Sequence, residues 1–186
     1  MAMFSLFYPV KPILVNQAFG NPDPKYTSLG LKGHNGIDFH ACNGGRITAA
    51  HNGFCSREIV DVYGGHGVEV TSIDSFYYNG VPAFFKTVYW HLIPGTAYKA
   101  RQKVFVGDLI GLADNTGFST GDHLHFGLKP QFPPGINIEQ SNGYNGAIDP
   151  RPYFNGEYAE DIAKQMLIIQ KAKQVISLLK QLLGIT

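Results

Sequence analysis

The chain has 186 residues, which is enough for one domain with an appendage and for a sizeable buried core. Its formal net charge of +1, with 16% charged residues, argues against a nucleic-acid-binding protein, because such proteins carry a basic patch or stripe. The 22 glycines and the 13% share of aromatic residues are typical of a turn-rich, mainly β protein.

The first 33 residues are interrupted by proline and glycine, so they predict irregular structure with a loop at residues 21–24. The apolar segment 1–10 lacks a basic start and a small-residue cleavage site, so it does not read as a signal peptide. No stretch approaches the roughly 18 consecutive apolar residues of a membrane span.

Short segments rich in β-branched and aromatic residues follow, and they predict an antiparallel β-sheet. Asn52-Gly53 and Asn79-Gly80 are strong turn signals, so we expect a hairpin around each of them. The strands are predicted at 46–50, 54–61, 67–72, 73–87 continuing into 88–92, 104–110 and 123–128, with a further strand entered from 34–39.

The two cysteines, Cys42 and Cys55, flank a predicted strand and turn. They form either one disulfide or two buried free thiols, and they lack the CxxC spacing of a zinc knuckle.

From Gly156 onward the hydrophobic period changes to that of a helix. Apolar residues recur at helical spacing, at Ile162, Met166, Ile169, Val175, Ile176, Leu179, Leu182 and Leu183. After Asp161 every charged residue is a lysine. The sequence therefore predicts a β domain over residues 1–155 and a C-terminal amphipathic α-helix over residues 156–186.

The pair His123-Leu124-His125 carries the chemistry of this chain. On a strand, side-chain direction repeats every two residues, so both imidazoles lie on one face. One ring can bind a metal while its neighbour stands beside it, and His34 and Asp38 supply two more ligand-type groups. Two histidines and one aspartate, with a fourth position open, are the pattern of a catalytic rather than a structural zinc site.

The HxxxD spacing of His34 and Asp38 is not expected to be helical. Gly33 and Gly36 would each weaken a helix by about 1 kcal/mol relative to alanine. We expect a loop that enters a strand, with Ile37 and Phe39 in the core and Asp38 facing a groove.

The order of motifs resembles that of the lysostaphin-type, LytM-like zinc endopeptidases, which cut the peptide part of bacterial peptidoglycan. The resemblance covers roughly residues 13–155. It begins at Phe19-Gly20 and continues through HNGIDF (34–39), ITAAHNG (47–53), GHGVEV (65–70), VYWHL (88–92), VFVGDLIGLADNTGFSTGDHLHFGL (104–128) and IDPRPYF (148–154).

This resemblance implies an open substrate groove across an antiparallel sheet, with one Zn²⁺ per chain at its floor. His34, Asp38 and His125 match the metal ligands. His91 and His123 match the two catalytic histidines beside the attacking water, and which of them is the base is left open. All five positions are filled, so the site is expected to be active.

The remaining histidines receive plainer interpretations. His40 shares the face of Asp38, which leaves open a role in the groove or an ordinary polar surface position. His51 and His66 lie in predicted turns, and we expect both to face solvent.

The groove walls are predicted from strand parity and from loop position. Strict alternation puts Tyr89 on the groove side with His91, and Trp90 on the opposite side. The loop that contains Asn21 and Tyr26 is expected to border the cleft, as are the aromatic 73–87 hairpin and the 130–147 insertion.

The C-terminal helix lies outside the resemblance. The preferred interpretation is that its apolar stripe packs on the β domain or pairs with another copy of the chain. The alternative is contact with an anionic membrane surface, because its lysines lack compensating acids.

The predicted function is hydrolysis of peptide bonds in a stem peptide or cross-bridge of bacterial peptidoglycan. The alternative is a non-catalytic zinc-binding scaffold, or a virion structural protein, that activates or positions another wall hydrolase. The segment before His34 is too short for an inhibitory domain, and no wall-binding module follows. A direct diaminopimelate cross-link is weakly favoured over a glycine bridge. Without a signal peptide, we expect a phage-encoded protein, released through a holin or carried on the virion, or an unconventionally exported one.

Overall fold

A computed structural model describes residues 3–133 and 135–183. It is mostly β, with 38% of residues in strands and 18% in helices. The strands are β1 (Leu6–Tyr8), β2 (Val15–Gln17), β3 (Ile37–His40), β4 (Arg46–Thr48), β5 (Gly53–Cys55), β6 (Ile59–Asp61), β7 (Gly65–Ser72), β8 (Phe76–Tyr78), β9 (Val81–Leu92), β10 (Lys103–Val104), β11 (Leu109–Leu112), β12 (His123–Phe132), β13 (Ile136–Asn137) and β14 (Phe154–Tyr158). The helices are α1 (Pro24–Ser28), a 3₁₀ turn (Arg151–Tyr153) and α2 (Ala159–Leu183).

The main sheet has the strand order β10-β5-β7-β9-β12-β3-β2, and its neighbouring strands are antiparallel. The short strands β6, β8 and β13 pair with β7, β9 and β12. Two smaller ribbons accompany this sheet: β1 with β14 in parallel, and β4 with β11 in antiparallel pairing. The predicted antiparallel β architecture is confirmed.

One face of the central strands forms the hydrophobic core. On β12, Leu124, Phe126 and Leu128 are buried, whereas His123 and His125 on the alternate positions are partly exposed. Fully burying such an apolar side chain contributes about 1.5–3 kcal/mol. This alternation anchors β12 through the core and turns its histidines toward the opposite face of the sheet.

The hairpin around Asn79-Gly80 is confirmed. Strands β8 and β9 pair directly on either side of it. Asn79 and Gly80 both have positive φ, 49° and 81°, as a two-residue turn of the Asn-Gly type requires.

The hairpin predicted around Asn52-Gly53 is wrong. Strand β4 pairs with β11, and β5 pairs with β7 and β10, so the chain crosses between two sheets instead of folding back. The side chain of Asn52 accepts a hydrogen bond from the Val106 backbone N–H.

The expectation that His51 faces solvent is also wrong, since His51 is buried. Its Nε2 lies 2.9 Å from Thr87 Oγ1 and its Nδ1 lies 2.9 Å from the carbonyl oxygen of Asn52. Burial lowers the pKa of this imidazole to about 4, so the ring is neutral in the folded protein.

Three further local predictions need correction. The first 33 residues contain β1, β2 and α1, because partners distant in sequence, β14 and β3, order this segment. The predicted 104–110 strand is divided at Gly107, whose φ is 82°. Cys42 is exposed and Cys55 is buried, and both are free thiols.

The predicted C-terminal helix is present. Of the two interpretations preferred for its apolar stripe, packing on the β domain is wrong, and pairing with another copy stays a prediction. The first turn of α2 is held by Lys11, which pairs with Asp161, and by Gly107, which lies against Ala159 and Ala163. From residue 164 to residue 183 every residue is exposed. No helix within residues 3–133 and 135–183 is long and apolar enough to cross a bilayer.

Candidate metal centre and substrate cleft

The paired strands β3 and β12 bring the predicted ligands together. His125 lies opposite Asp38 in the antiparallel register, and paired residues share one face of the sheet. Asp38 is held in place by Ile37 and Phe39, which are buried on either side of it. His34 lies in the loop before β3. The prediction that the HxxxD pair belongs to a loop entering a strand, and not to a helix, is confirmed.

The three candidate ligand atoms form a nearly equilateral triangle. His34 Nε2 lies 3.0 Å from His125 Nδ1 and 3.1 Å from Asp38 Oδ1, and His125 Nδ1 lies 3.1 Å from Asp38 Oδ1. Ligands at zinc-bond lengths around a tetrahedral ion are about 3.3 Å apart. Two imidazole nitrogens and a carboxylate oxygen at this spacing therefore fit one face of a zinc coordination tetrahedron.

The orientation of His34 leaves its ligand atom free. Its Nδ1 lies 3.2 Å from the carbonyl oxygen of Ala18, which can only accept, so Nδ1 carries the proton. The Nε2 lone pair then points into the triangle. Such a hydrogen bond from the far nitrogen is the usual support of a metal-binding histidine.

The charges of the triangle also suit a cation. Burial alone would raise the pKa of Asp38, but its close contacts with His125 and His34 outweigh this effect and hold the pKa well below its usual value. Burial lowers the pKa of His125, although Asp38 opposes this shift. The lowered pKa of Asp38 favours the carboxylate and the lowered pKa of His125 favours the neutral imidazole, which are the forms that bind a metal.

A β-bulge in β9 turns the side chain of His91 toward the cleft. In the pairing of β7 with β9, His66 lies opposite Leu92 and Val68 opposite Tyr89, so β9 contains one extra residue. His91 has φ 63°, an uncommon value for a residue other than glycine.

This bulge overturns the parity prediction for the neighbouring aromatic residues. Tyr89 is fully buried, and its hydroxyl oxygen accepts a hydrogen bond from the Ala50 N–H inside the core. Trp90 lies opposite His125 in the β9–β12 register and lines the cleft together with His91. Strict alternation fails because the extra residue turns Trp90 and His91 to the same side.

His91 and His123 stand side by side, with ring centroids 4.5 Å apart. His91 Nδ1 donates to the carbonyl oxygen of Thr116 at 2.6 Å, and His123 Nδ1 donates to that of Gly121 at 2.8 Å. These backbone contacts engage Nδ1 of each ring and leave Nε2 of each ring outside them. The Nε2 of His123 lies 3.6 Å from Asp38 Oδ1.

His91 is the more deeply enclosed of the two rings, and it is one of the buried polar residues. Burial lowers the pKa of His91 to about 4, and the neighbouring His123 and His125 add to the effect while the Thr116 carbonyl opposes it. His91 is therefore neutral near pH 7.

Glycines make room for this arrangement. A Cβ on Gly36 would lie 2.6 Å from the His125 ring, and a Cβ on Gly67 would lie 2.3 Å from the Trp90 ring. Both distances are far below van der Waals contact, so these positions exclude any side chain while the rings keep their places.

The triangle lies in a cleft of about 1300 Å³. Asn21 and Tyr26 line it, and Tyr26 stacks on His34 at 5.5 Å between ring centroids, as the predicted position of this loop requires. The 130–147 segment contributes lining residues, including Asn145. The 73–87 hairpin, which lies within the described residues, contributes none, so that prediction is wrong.

The remaining histidines lie away from the triangle. His40 is exposed, in agreement with the surface alternative. His66 is partly exposed and its Nδ1 lies 2.7 Å from Glu58 Oε1. The sequence interpretation missed Glu69 and Lys129, which also line the cleft. Lys129 could have been found from parity, because it lies on the same face of β12 as His123 and His125.

Comparisons with known proteins agree with this geometry. The family model described as Peptidase family M23 matches residues 32–134. An "Uncharacterized metalloprotease" of Haemophilus influenzae is 34% identical over 107 residues, which are 57% of this chain. The chain spans about a fifth, 21%, of the length of that relative.

Solved structures share the fold. The catalytic domain of the antimicrobial peptidase lysostaphin from Staphylococcus simulans is 25% identical with a TM-score of 0.56, over 76% of this chain and 91% of that domain. The structure of LytU is 28% identical with a TM-score of 0.56, over 77% of this chain and 85% of that one.

Proposed function

The chain belongs to peptidase family M23, and we propose that it is a zinc-dependent endopeptidase that hydrolyses peptide bonds in bacterial peptidoglycan. The resemblance to lysostaphin-type, LytM-like enzymes that its motifs predict is confirmed at the level of family and fold. The activity is assigned to the β domain, residues 1–155, and its place of action is the bacterial cell wall.

One observation carries the proposal: the ligand triangle lies in an open cleft beside two further histidines. A structural zinc site is closed by four protein ligands, whereas a catalytic site keeps one position open. Here the three ligand-type atoms of His34, Asp38 and His125 lie within 4.8 Å of one another. His91 and His123 face the same space without belonging to the triangle.

Zinc is the ion that this donor set fits, with His34 Nε2, Asp38 Oδ1 and His125 Nδ1 as ligands. When bound, zinc acts as a Lewis acid that polarises the scissile carbonyl and lowers the pKa of a water molecule toward about 7. The protein supplies the fixed triangle and the hydrogen bond from His34 to Ala18 that orients it.

The proton transfers are assigned to His123 and His91. We assign His123 as the base because its Nε2 lies 3.6 Å from Asp38 Oδ1, and this carboxylate stabilises the imidazolium that forms when the ring accepts a proton from water. The protonated Nε2 can then donate to the leaving amine. His91 has the lowered pKa and stays neutral, so we assign it to positioning the water through its Nε2.

The test is mass spectrometry of fragments released from two purified sacculi, one with direct diaminopimelate links and one with glycine bridges. The full chain with zinc should release new amino termini from at least one of them. His125→Ala should abolish the release, because it removes a ligand atom from the triangle. The mass of the new termini identifies the bond.

The matched control is His40→Ala, which removes an exposed imidazole from the strand that carries Asp38. This variant should keep both zinc and activity. If the folded wild-type protein binds zinc but releases nothing from either sacculus, the enzyme proposal fails and a scaffold that positions another hydrolase is favoured.

A further inference from the structure

The exposed part of α2 is an apolar surface of unusual extent for a single helix. Ten of its large apolar side chains, within the described residues, are each more than half exposed: Met166, Leu167, Ile168, Ile169, Val175, Ile176, Leu178, Leu179, Leu182 and Leu183. Contiguous apolar surface of this kind marks an interaction site. In proteins, most of a helix's stability comes from packing of its apolar face against a partner.

The apolar residues are not spread evenly around the helix. At about 100° per residue, most of them fall on one side, which we call the apolar face. It consists of Ile168, Ile169, Val175, Ile176, Leu179, Leu182 and Leu183. The opposite side carries uncharged polar residues, among them Gln170, Gln174, Ser177 and Gln181.

The positions of the lysines on α2 indicate which kind of partner the apolar face binds. Lys171 lies about 20° outside one edge of the apolar face, and Lys180 and Lys173 lie about 20° and 40° outside the other edge. Lys164 pairs with Glu160 at 3.5 Å, but no acid follows Asp161 that could pair with the other three.

A second copy of the chain suits this pattern poorly. Two such helices packed through their apolar faces would place lysines along both edges of the seam, with no acidic residue to pair with them. An anionic lipid surface suits it well. Lysines at the borders of an apolar face extend their charged ends toward phosphates while the apolar side chains enter the headgroup boundary.

We propose that the apolar face of α2 docks on an anionic membrane surface, with Lys171, Lys173 and Lys180 against the lipid headgroups. The helix lies on the membrane and does not cross it, in line with its hydropathy. The first turn of α2 is tied to the β domain through Asp161 and Ala163, so this contact holds the peptidase beside the bilayer.

The test is co-sedimentation of the full chain with vesicles of phosphatidylglycerol and phosphatidylcholine, compared with vesicles of phosphatidylcholine alone. Binding should require the anionic lipid and should fall steeply in 0.5 M salt, a concentration of about the order that screens surface charge. Replacing the three border lysines by glutamate should weaken binding by roughly 100-fold or more, at unchanged helix propensity.

A matched pair of double variants tests the face itself. Ile176→Gln with Leu179→Gln alters the apolar face and should abolish binding. Leu167→Gln with Leu178→Gln removes leucines of similar exposure that lie outside the apolar face and should retain binding. Equal loss in both pairs, binding that ignores lipid charge, or a concentration-dependent dimer that Ile176→Gln disrupts would each overturn the proposal.

A second observation concerns the floor of the cleft and rests on the proposed function. The residues of β12 that face the cleft are His123, His125, Gly127 and Lys129. Lys129 lies four residues beyond His125, about 13 Å along the strand.

Lys129 forms no salt bridge with a carboxylate among the described residues. The neighbouring Glu69 is engaged by Lys86, with 2.8 Å between Lys86 Nζ and Glu69 Oε1. Among the described residues no carboxylate lies within 4.0 Å of Lys129 Nζ. Burial lowers the pKa of Lys129 and Lys86 adds to this effect, while the nearby Glu69 opposes it, so the charged form of Lys129 gains from an incoming anion.

The geometry points to Lys129 as the residue that binds a carboxylate of an acidic substrate peptide, about four residues from the bond that is cleaved. An extended peptide advances about 3.3 Å per residue, so the lysine side chain reaches a group at that distance from the triangle.

The test compares two synthetic stem-type peptides that differ in a carboxylate or its amide at that position. Wild type should favour the carboxylate peptide by about tenfold in kcat/KM, an ordinary value for a charge-assisted contact. Lys129→Met should abolish this preference, and Lys103→Met, at an exposed lysine outside the cleft, should keep it. Equal cleavage of both peptides by wild type overturns this inference and leaves the proposed function standing, whereas cleavage of neither contradicts the proposed function itself.

Discussion

Gly36→Ala is expected to damage the metal centre without touching a ligand. The new Cβ would lie 2.6 Å from Cε1 and 2.7 Å from Nε2 of His125, and 2.7 Å from the backbone oxygen of Phe126. Ordinary contacts begin at about 3.5 Å, so the atoms must separate by nearly 1 Å. Phe126 is held in β12 by its pairing with Ile37, so the imidazole of His125 has to move.

That displacement is large compared with what a metal site tolerates. Zinc–ligand distances vary by only about 0.2 Å between good sites, so a ring moved by close to 1 Å is a poor ligand. Zinc affinity should fall by about 10–100-fold, which corresponds to roughly 1.4–2.8 kcal/mol of binding free energy. The strain should also lower the free energy of unfolding of the zinc-free protein by about 1–3 kcal/mol.

The assay is a competition titration of zinc against a chromogenic chelator, with wild type and two glycine variants. Gly127→Ala is the matched control, because a Cβ there meets Val88 and Asn35 at 3.6–3.8 Å, an ordinary contact. This control should bind zinc within about twofold of wild type. Wild-type zinc affinity in Gly36→Ala would refute the reasoning, because the close packing against His125 would then carry no cost.

Three further outcomes follow from the structure. Removing zinc with a chelator should lower the melting temperature, and restoring it at about 1,000 times its dissociation constant should add about 4 kcal/mol of stability, measured by calorimetry; an unchanged melting temperature would argue against the site. Because the pKa of His51 is about 4 when folded and near 6.5 when unfolded, the unfolded chain binds the extra proton between these values. Stability should therefore fall by up to about 3 kcal/mol as pH drops from 6.5 to 4. In urea unfolding across this pH range, the free energy of unfolding should fall less for His51→Gln than for wild type. An equal dependence on pH in the two proteins would contradict the assignment of this fall to His51. Phe85→Ala should lower the free energy of unfolding by about 3–5 kcal/mol, since Phe85 is fully buried and stacks on Phe4 at 4.2 Å, whereas Tyr77→Ala, at an exposed position, should cost under about 1 kcal/mol in the same urea titration.

Local chemistry in the sequence was sufficient to predict the candidate ligand set and most of the strands. His34, Asp38 and His125 are residue types that bind zinc, and the parity of β3 and β12 is enough to put Asp38 and His125 on a common face. The dipeptide Asn79-Gly80 was sufficient to predict the hairpin around it, because both residues tolerate the positive φ that the turn requires. The helical period after Gly156 was sufficient for α2.

Tertiary structure decided the features that depend on partners distant in the chain. The same Asn-Gly signal failed at Asn52-Gly53, because β4 and β5 find better partners in β11 and β7 than in each other. Tyr89 and Trp90 exchanged sides because a bulge opposite β7 adds one residue to β9. The period of α2 predicts an apolar face but not what covers it, since periodicity reports which side chains share a side and says nothing of the surface they meet. The sequence by itself thus determined the chemistry of the site, and the pairing of strands distant in sequence decided which side chains surround it.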